Sequence, residues 1–209
     1  MNESAALVSI VAALAIGVVS PGPSFVMVAR VAAGSSRARG LSTALGIGVG
    51  GTVFGALALL GLQGLFATVP VLYLGLKIAG GLYLCWLGLL VWRSAGRKIA
   101  AIATAPPAEG KAAGSFWLGL TTQLSNPKTA VVYASVFAAF LPPHFSPAFA
   151  AALLLAVFTV ETGWYALVAY LLSSPAPQRA YLACKKWVDR TAGLVMVGLG
   201  LKLATSAAR

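Results

Sequence analysis

Ser125-Asn126-Pro127-Lys128-Thr129 interrupts a long apolar run, Phe116 to Leu141. Its residues do not suit the interior of an ordinary apolar helix. Proline lacks an N–H and presses on the carbonyl four residues back, here that of Gln123. A lysine near a bilayer centre costs about 2.5–3.5 kcal/mol on insertion scales. A break this costly calls for a compensating role, and it reads as one half of a solute site in a membrane transporter.

The rest of the chain supports a membrane setting. Of 209 residues, 59% are hydrophobic and 9% charged, and the mean hydropathy is +0.90. A soluble domain carries many more charges. Several apolar runs reach the ~20 residues that cross a hydrocarbon core. The predicted fold class is an all-α integral membrane protein with six spans: Ala5–Val31, Leu41–Leu62, Pro70–Trp92, Ser115–Leu141, Ala148–Leu172 and Trp187–Ala204. Gln63–Val69 reads as a short linker, Pro142–Pro147 as a tight turn and Ser173–Lys186 as a polar basic loop.

The net charge of +11 would suggest nucleic acid in a soluble protein. Here the cations lie between apolar runs, where they set topology, and no nucleic-acid partner is expected. Eleven fall in three alternate loops: Arg30, Arg37 and Arg39; Arg93, Arg97, Lys98 and Lys111; Arg179, Lys185, Lys186 and Arg190. The opposite side has Lys202 and Arg209. That asymmetry places the basic loops in the cytoplasm and both termini outside. Met1-Asn2-Glu3-Ser4 has no cation, which argues against a cleaved signal peptide. Cys85 and Cys184 lie at different depths, so no disulfide or redox pair is expected. His144 reads as an exposed turn residue.

A second break lies in the first span, at Ser20-Pro21-Gly22-Pro23-Ser24. Each break interrupts the first helix of a three-helix set, residues 1–92 and 115–209, with 93–114 as the cytoplasmic loop between. An odd number of spans inverts the second set. Interrupted helices at matching places in inverted repeats mark secondary transporters, with the solute held at the midplane. The break in span 1, Gly51–Thr52, Lys128 and Glu161 all fall near the middle of their spans.

Ser20-Pro21 and Asn126-Pro127 each read as an N-cap followed by proline at the first helical position. A half-helix starting there offers unpaired N–H groups to a carboxylate. Gly22 lets backbone approach a ligand. Pro21, Pro23 and Pro127 free the carbonyls of Gly17, Val19 and Gln123, and exposed donors and acceptors together suit a zwitterion. Lys128 reads as a partner for the carboxylate or for Glu161. Glu161, the one acid placed deep in the membrane, reads as a seat for a substrate ammonium or a proton. The binding candidates are therefore Ser20, Pro21, Gly22, Pro23, Ser24, Gln123, Asn126, Pro127, Lys128 and Glu161. Trp164 and Tyr165 are within a turn of Glu161 and are candidate pocket walls. Gly46, Gly50, Gly51 and Gly55 read as helix-packing positions. Lys77 reads as a lysine snorkelling outward.

Taken together, these segments resemble the LysE/RhtB family of bacterial amino-acid exporters over nearly the whole chain. The resemblance rests on Ser20-Pro21-Gly22-Pro23, Leu41 to Gly50, Leu76 to Gly88, Leu118-Gly119, Asn126-Pro127-Lys128, Asp189 to Gly193 and Val197 to Gly200. It implies six helices in the bacterial inner membrane, a homodimer, and export of amino acids against proton entry, without a cofactor. Members that handle basic amino acids often carry an acid in span 2 after the glycines. Gly51 and Thr52 stand there, which favours a small neutral amino acid or derivative. Export of basic amino acids, a divalent-metal exporter, a membrane enzyme or thiol relay, and a non-transporting scaffold are the competing readings. A metal site needs several ligands at one depth, and Glu161 alone qualifies.

Overall fold

The computed structural model describes residues 2–68, 70–95 and 112–206. Every regular element among them is an α-helix: α1 (Glu3–Val19), α2 (Pro23–Gly34), α3 (Arg37–Thr68), α4 (Pro70–Ser94), α5 (Ala112–Leu124), α6 (Pro127–Phe140), α7 (Pro147–Leu172) and α8 (Pro175–Ser206). Arg37–Gly61 and Pro147–Leu172 are each long and apolar enough to cross a membrane. The pair α1 and α2 meets the same test as one broken span, bent by 55°.

The breaks fall at the prolines. Ser20 is the C-cap of α1, Gly22 the N-cap of α2, and Pro23 its first residue. The expected cap at Ser20-Pro21 is thus displaced by two residues. A residue before proline is pushed out of the helical region, and Ser20 and Gly22 both precede one. Their backbones are extended, so the new helix starts only after the last proline. At the second break Asn126 is the N-cap, its side chain accepting from the Lys128 N–H at 3.0 Å, and Pro127 follows.

Two connections also differ from expectation. The linker over Gln63–Val69 is helical as far as Thr68, and Val69 is outside the described residues. The basic segment Ser173–Lys186 is mostly the first turns of α8, which leaves Ser173-Ser174 as the junction. Polar residues there include good helix formers, so the helix outlasts the apolar run. Most of the 93–114 loop and the Lys77 side chain are outside the described residues.

Helix α3 packs mainly on α5 and α7, and α4 packs mainly on α8. Small residues permit this. A Cβ at Gly46 would lie 2.1 Å from the Phe116 carbonyl oxygen, and one at Gly119 2.1 Å from that of Thr43. Along α4 and α8, Gly81 meets Gly200 and Gly88 meets Gly193, again backbone to backbone.

The ends of the bundle are tied differently. At one end Glu3 accepts from the Ser146 N–H and hydroxyl, at 2.6 and 2.9 Å. At the other, Arg37 donates to Ser173, Arg39 to Ser115, and Ser42 to the Ala112 carbonyl. This second end gathers the junctions bearing the basic residues. Two apolar clusters fill the space between. The one toward Glu3 includes Ile10, Leu14, Phe137, Phe149 and Leu153. The one toward the basic end includes Phe25, Val28, Ile47, Val168 and Leu172.

Candidate functional site

Between the two clusters the breaks meet. Ser24, at the start of α2, donates to Gln123 Oε1 at 2.5 Å, and Asn126 Nδ2 donates to Ser24 Oγ at 3.0 Å. All three side chains are buried. Thr129 adds a longer contact to Gln123 Oε1, at 3.4 Å. A side-chain network thus ties the last turn of α5 and the cap of α6 to the first turn of α2.

Lys128 crosses the gap. Its Nζ donates to the carbonyl oxygens of Gly17 at 3.1 Å and Ser20 at 2.6 Å. Gly17 is the residue whose carbonyl Pro21 leaves without an N–H partner. This carbonyl, expected to face a substrate, is taken by the lysine. Gly22 lies under the lysine stem, where a Cβ would stand 3.1 Å from Cδ. The Gly22 backbone is extended, so the position needs a small side chain rather than an unusual conformation.

Glu161, on α7, is 2% exposed. Tyr133 of α6 donates to its Oε1 at 3.0 Å, while Oε2 has no hydrogen-bond partner among the described residues. Lys128 is not its ion-pair partner; among the described residues the one such pair is Lys185–Asp189. Gly51 of α3 abuts Glu161, and a Cβ there would be 2.9 Å from Glu161 Cγ and 3.1 Å from the Tyr133 hydroxyl.

These groups surround a cavity of about 20 Å³, lined by Gly17, Val18, Gly22, Asn126, Lys128, Thr129, Tyr133, Glu161 and Tyr165 among others. That is room for a water and too little for an amino acid. Of the sequence candidates, Gly22, Asn126, Lys128 and Glu161 line the cavity, while Ser24 and Gln123 brace it from behind. Ser20 contributes its carbonyl, and its buried hydroxyl has no hydrogen-bond partner among the described residues. Pro21, Pro23 and Pro127 shape the breaks and are not among its lining residues. Gly46 and Gly50 face α5, whereas Gly51 and Gly55 face α7. Tyr165 lines the cavity; Trp164 packs in the apolar cluster beside it.

Residues 15–207 match the LysE type translocator family. The chain belongs to that family. Among similar proteins, the threonine efflux protein of Escherichia coli (strain K12) is 37% identical over 193 residues, covering 91% of this chain and 93% of its own. The threonine efflux protein of Salmonella typhi is 38% identical with the same coverage. The leucine efflux protein of Enterobacter sp. (strain 638) is 32% identical over 194 residues, 90% of each chain. No solved structure matches the translocator.

Two features of this translocator do not stand out in its sequence. Tyr133 is one aromatic among several there, yet it holds Glu161. Glu161 is also not the sole buried acid, because Asp189 of α8 is buried and pairs with Lys185 one turn earlier. The spacing of four residues was the available signal. Near that pair, Tyr181 stacks on Phe25 at 5.1 Å. Burial, and then the Asp189 charge, push the Tyr181 hydroxyl up from its ordinary range, so it stays neutral.

Proposed function

We propose that this translocator exports small neutral amino acids, threonine and leucine among them, from the bacterial cytoplasm by alternating access. The observation that carries the reading is the meeting of two broken helices over a cavity holding one lysine and one buried carboxylate. The ammonium of Lys128 has three N–H donors, of which two are used. The third, with the free N–H groups at the start of α2, binds the substrate carboxylate. The unpartnered Oε2 of Glu161 binds the substrate ammonium and, with the site empty, a proton.

The apolar clusters on either side act as the two closures, and loading requires one of them to open. Reciprocal packing supports an arrangement of two inverted three-helix repeats over residues 1–92 and 115–209. Helix α1 packs on α6 as α2 packs on α5, and α3 packs on α6 as α7 packs on α2. The basic end then faces the cytoplasm, with the termini outside. Neutral substrates fit the geometry at Gly51, where an acidic side chain has no room against Glu161. The names of the threonine and leucine efflux relatives point the same way.

The test is efflux of labelled L-threonine and L-leucine from vesicles carrying the purified protein, with and without an inward proton gradient. Wild type should release both faster than protein-free vesicles, and faster still with the gradient. Glu161→Gln, which keeps the shape and the Tyr133 contact, should abolish the gradient response. Release no faster than the protein-free control rejects the transport reading. A gradient response that survives in Glu161→Gln rejects the role of that carboxylate.

A further inference from the structure

The end of α1 has the geometry of a cation site. Gly17 and Ser20 present carbonyl oxygens that converge on one nitrogen, at 3.1 and 2.6 Å. Helix α1 stops at Val19, so these are orphaned acceptors at the negative end of its dipole. The nitrogen they hold arrives from α6, more than 100 residues away in sequence. Its stem passes over Gly22, a position with no side chain to obstruct it. Glu161 lies beyond ion-pair distance, and among the described residues the two carbonyls are the hydrogen-bond acceptors that hold the ammonium. The pattern is that of a bound ion that happens to be tethered.

We propose that the carbonyl end of α1 is a monovalent-cation site, filled by Lys128 as a built-in ligand, which takes a small primary ammonium ion once the lysine side chain is removed. The distances suit charged N–H donors on carbonyl oxygens. Two carbonyls are too few for a divalent ion, which demands six or more oxygens or retains its own waters. A resident ammonium keeps positive charge beside the start of α2 without recruiting a free ion. The proposal goes beyond the transport reading, and its test measures no flux, so either can fail alone.

Purified wild type, Lys128→Ala and Lys128→Met are unfolded thermally in detergent at constant ionic strength. The salt is methylammonium, tetramethylammonium or sodium chloride. Lys128→Ala should unfold at a lower temperature than wild type and regain about 3–6 °C as methylammonium saturates the seat. Tetramethylammonium, which has the charge but no N–H, should have no effect, and wild type should respond to none of the three. Lys128→Met, whose stem fills the space, should be destabilised and unresponsive. Indifference of Lys128→Ala to methylammonium, an equal response in wild type, or an equal rise with sodium overturns the assignment. Should Lys128→Ala not survive purification, Lys128→Ser opens the same space and is read identically. Failure of both to fold even when purified in methylammonium also counts against it, because the salt should replace the missing group.

Discussion

Removing the Ser24 hydroxyl tests whether the two breaks are coupled. Ser24→Ala deletes a donor to Gln123 Oε1 and an acceptor for Asn126 Nδ2, both buried. Gln123 keeps the longer Thr129 contact, and Asn126 keeps its cap on the Lys128 N–H. An orphaned buried group costs about 1–3 kcal/mol. Interhelical hydrogen bonds in membranes average about 0.6 kcal/mol, with a maximum near 1.7, because the freed groups find other partners. The adjacent cavity holds about one water, which favours the lower range. Two such bonds are lost, so the expected loss for Ser24→Ala is about 1–3 kcal/mol, or a fall of roughly 2–12 °C in the unfolding temperature of a chain this size. The decisive number is the coupling with Asn126→Ala in a double-mutant cycle, expected at about 0.6–1.7 kcal/mol. Thermal unfolding of the four purified proteins supplies it. Additivity within about 0.3 kcal/mol, with wild-type efflux in both single variants, would refute the view that this contact joins the halves.

Two other substitutions probe the frame. Gly119→Ala pushes a methyl to 2.1 Å from the Thr43 carbonyl; it should cost about 3 kcal/mol or more through forced separation of α3 and α5, read as lost folded yield and a lower unfolding temperature. Asp189→Asn leaves Lys185 buried without its partner and should cost about 3 kcal/mol in unfolding, whereas replacing both by Leu and Met should be close to neutral.

The second break was legible because proline, asparagine and lysine are each costly inside an apolar run, and the first because two prolines flank Gly22. Glu161 stood out as another costly group inside an apolar run, and Gly51 as a departure from the family resemblance rather than from its own glycine-rich surroundings. The cap of α2 was misplaced at Ser20-Pro21, because the constraint that a residue before proline leaves the helical region has to be applied twice, at Ser20 and at Gly22. Helix ends were less so. Charge marks where the chain is wet, and α8 begins in wet sequence at Pro175. Partnerships across the bundle were hidden. In sequence Lys128 reads as a partner for a substrate carboxylate or for Glu161, and its hold on the Gly17 and Ser20 carbonyls follows only from the packing of α6 against α1. Tyr133 sat in plain helical sequence with nothing to set it apart, and the Lys185–Asp189 pair showed only as an i, i+4 spacing across a segment read as loop and span.

A chamber with space for a single water has a consequence for selectivity. A cavity of about 20 Å³ has no room for an amino-acid side chain. Whatever enters must pry Leu14, Val132 and Tyr165 apart, and every extra methylene adds to the work of prying. If the proposed site is the one that carries solute, discrimination by size is exacted on the way in, as resistance of the walls, and Val132→Phe should cut leucine efflux more than threonine efflux when both are followed from vesicles.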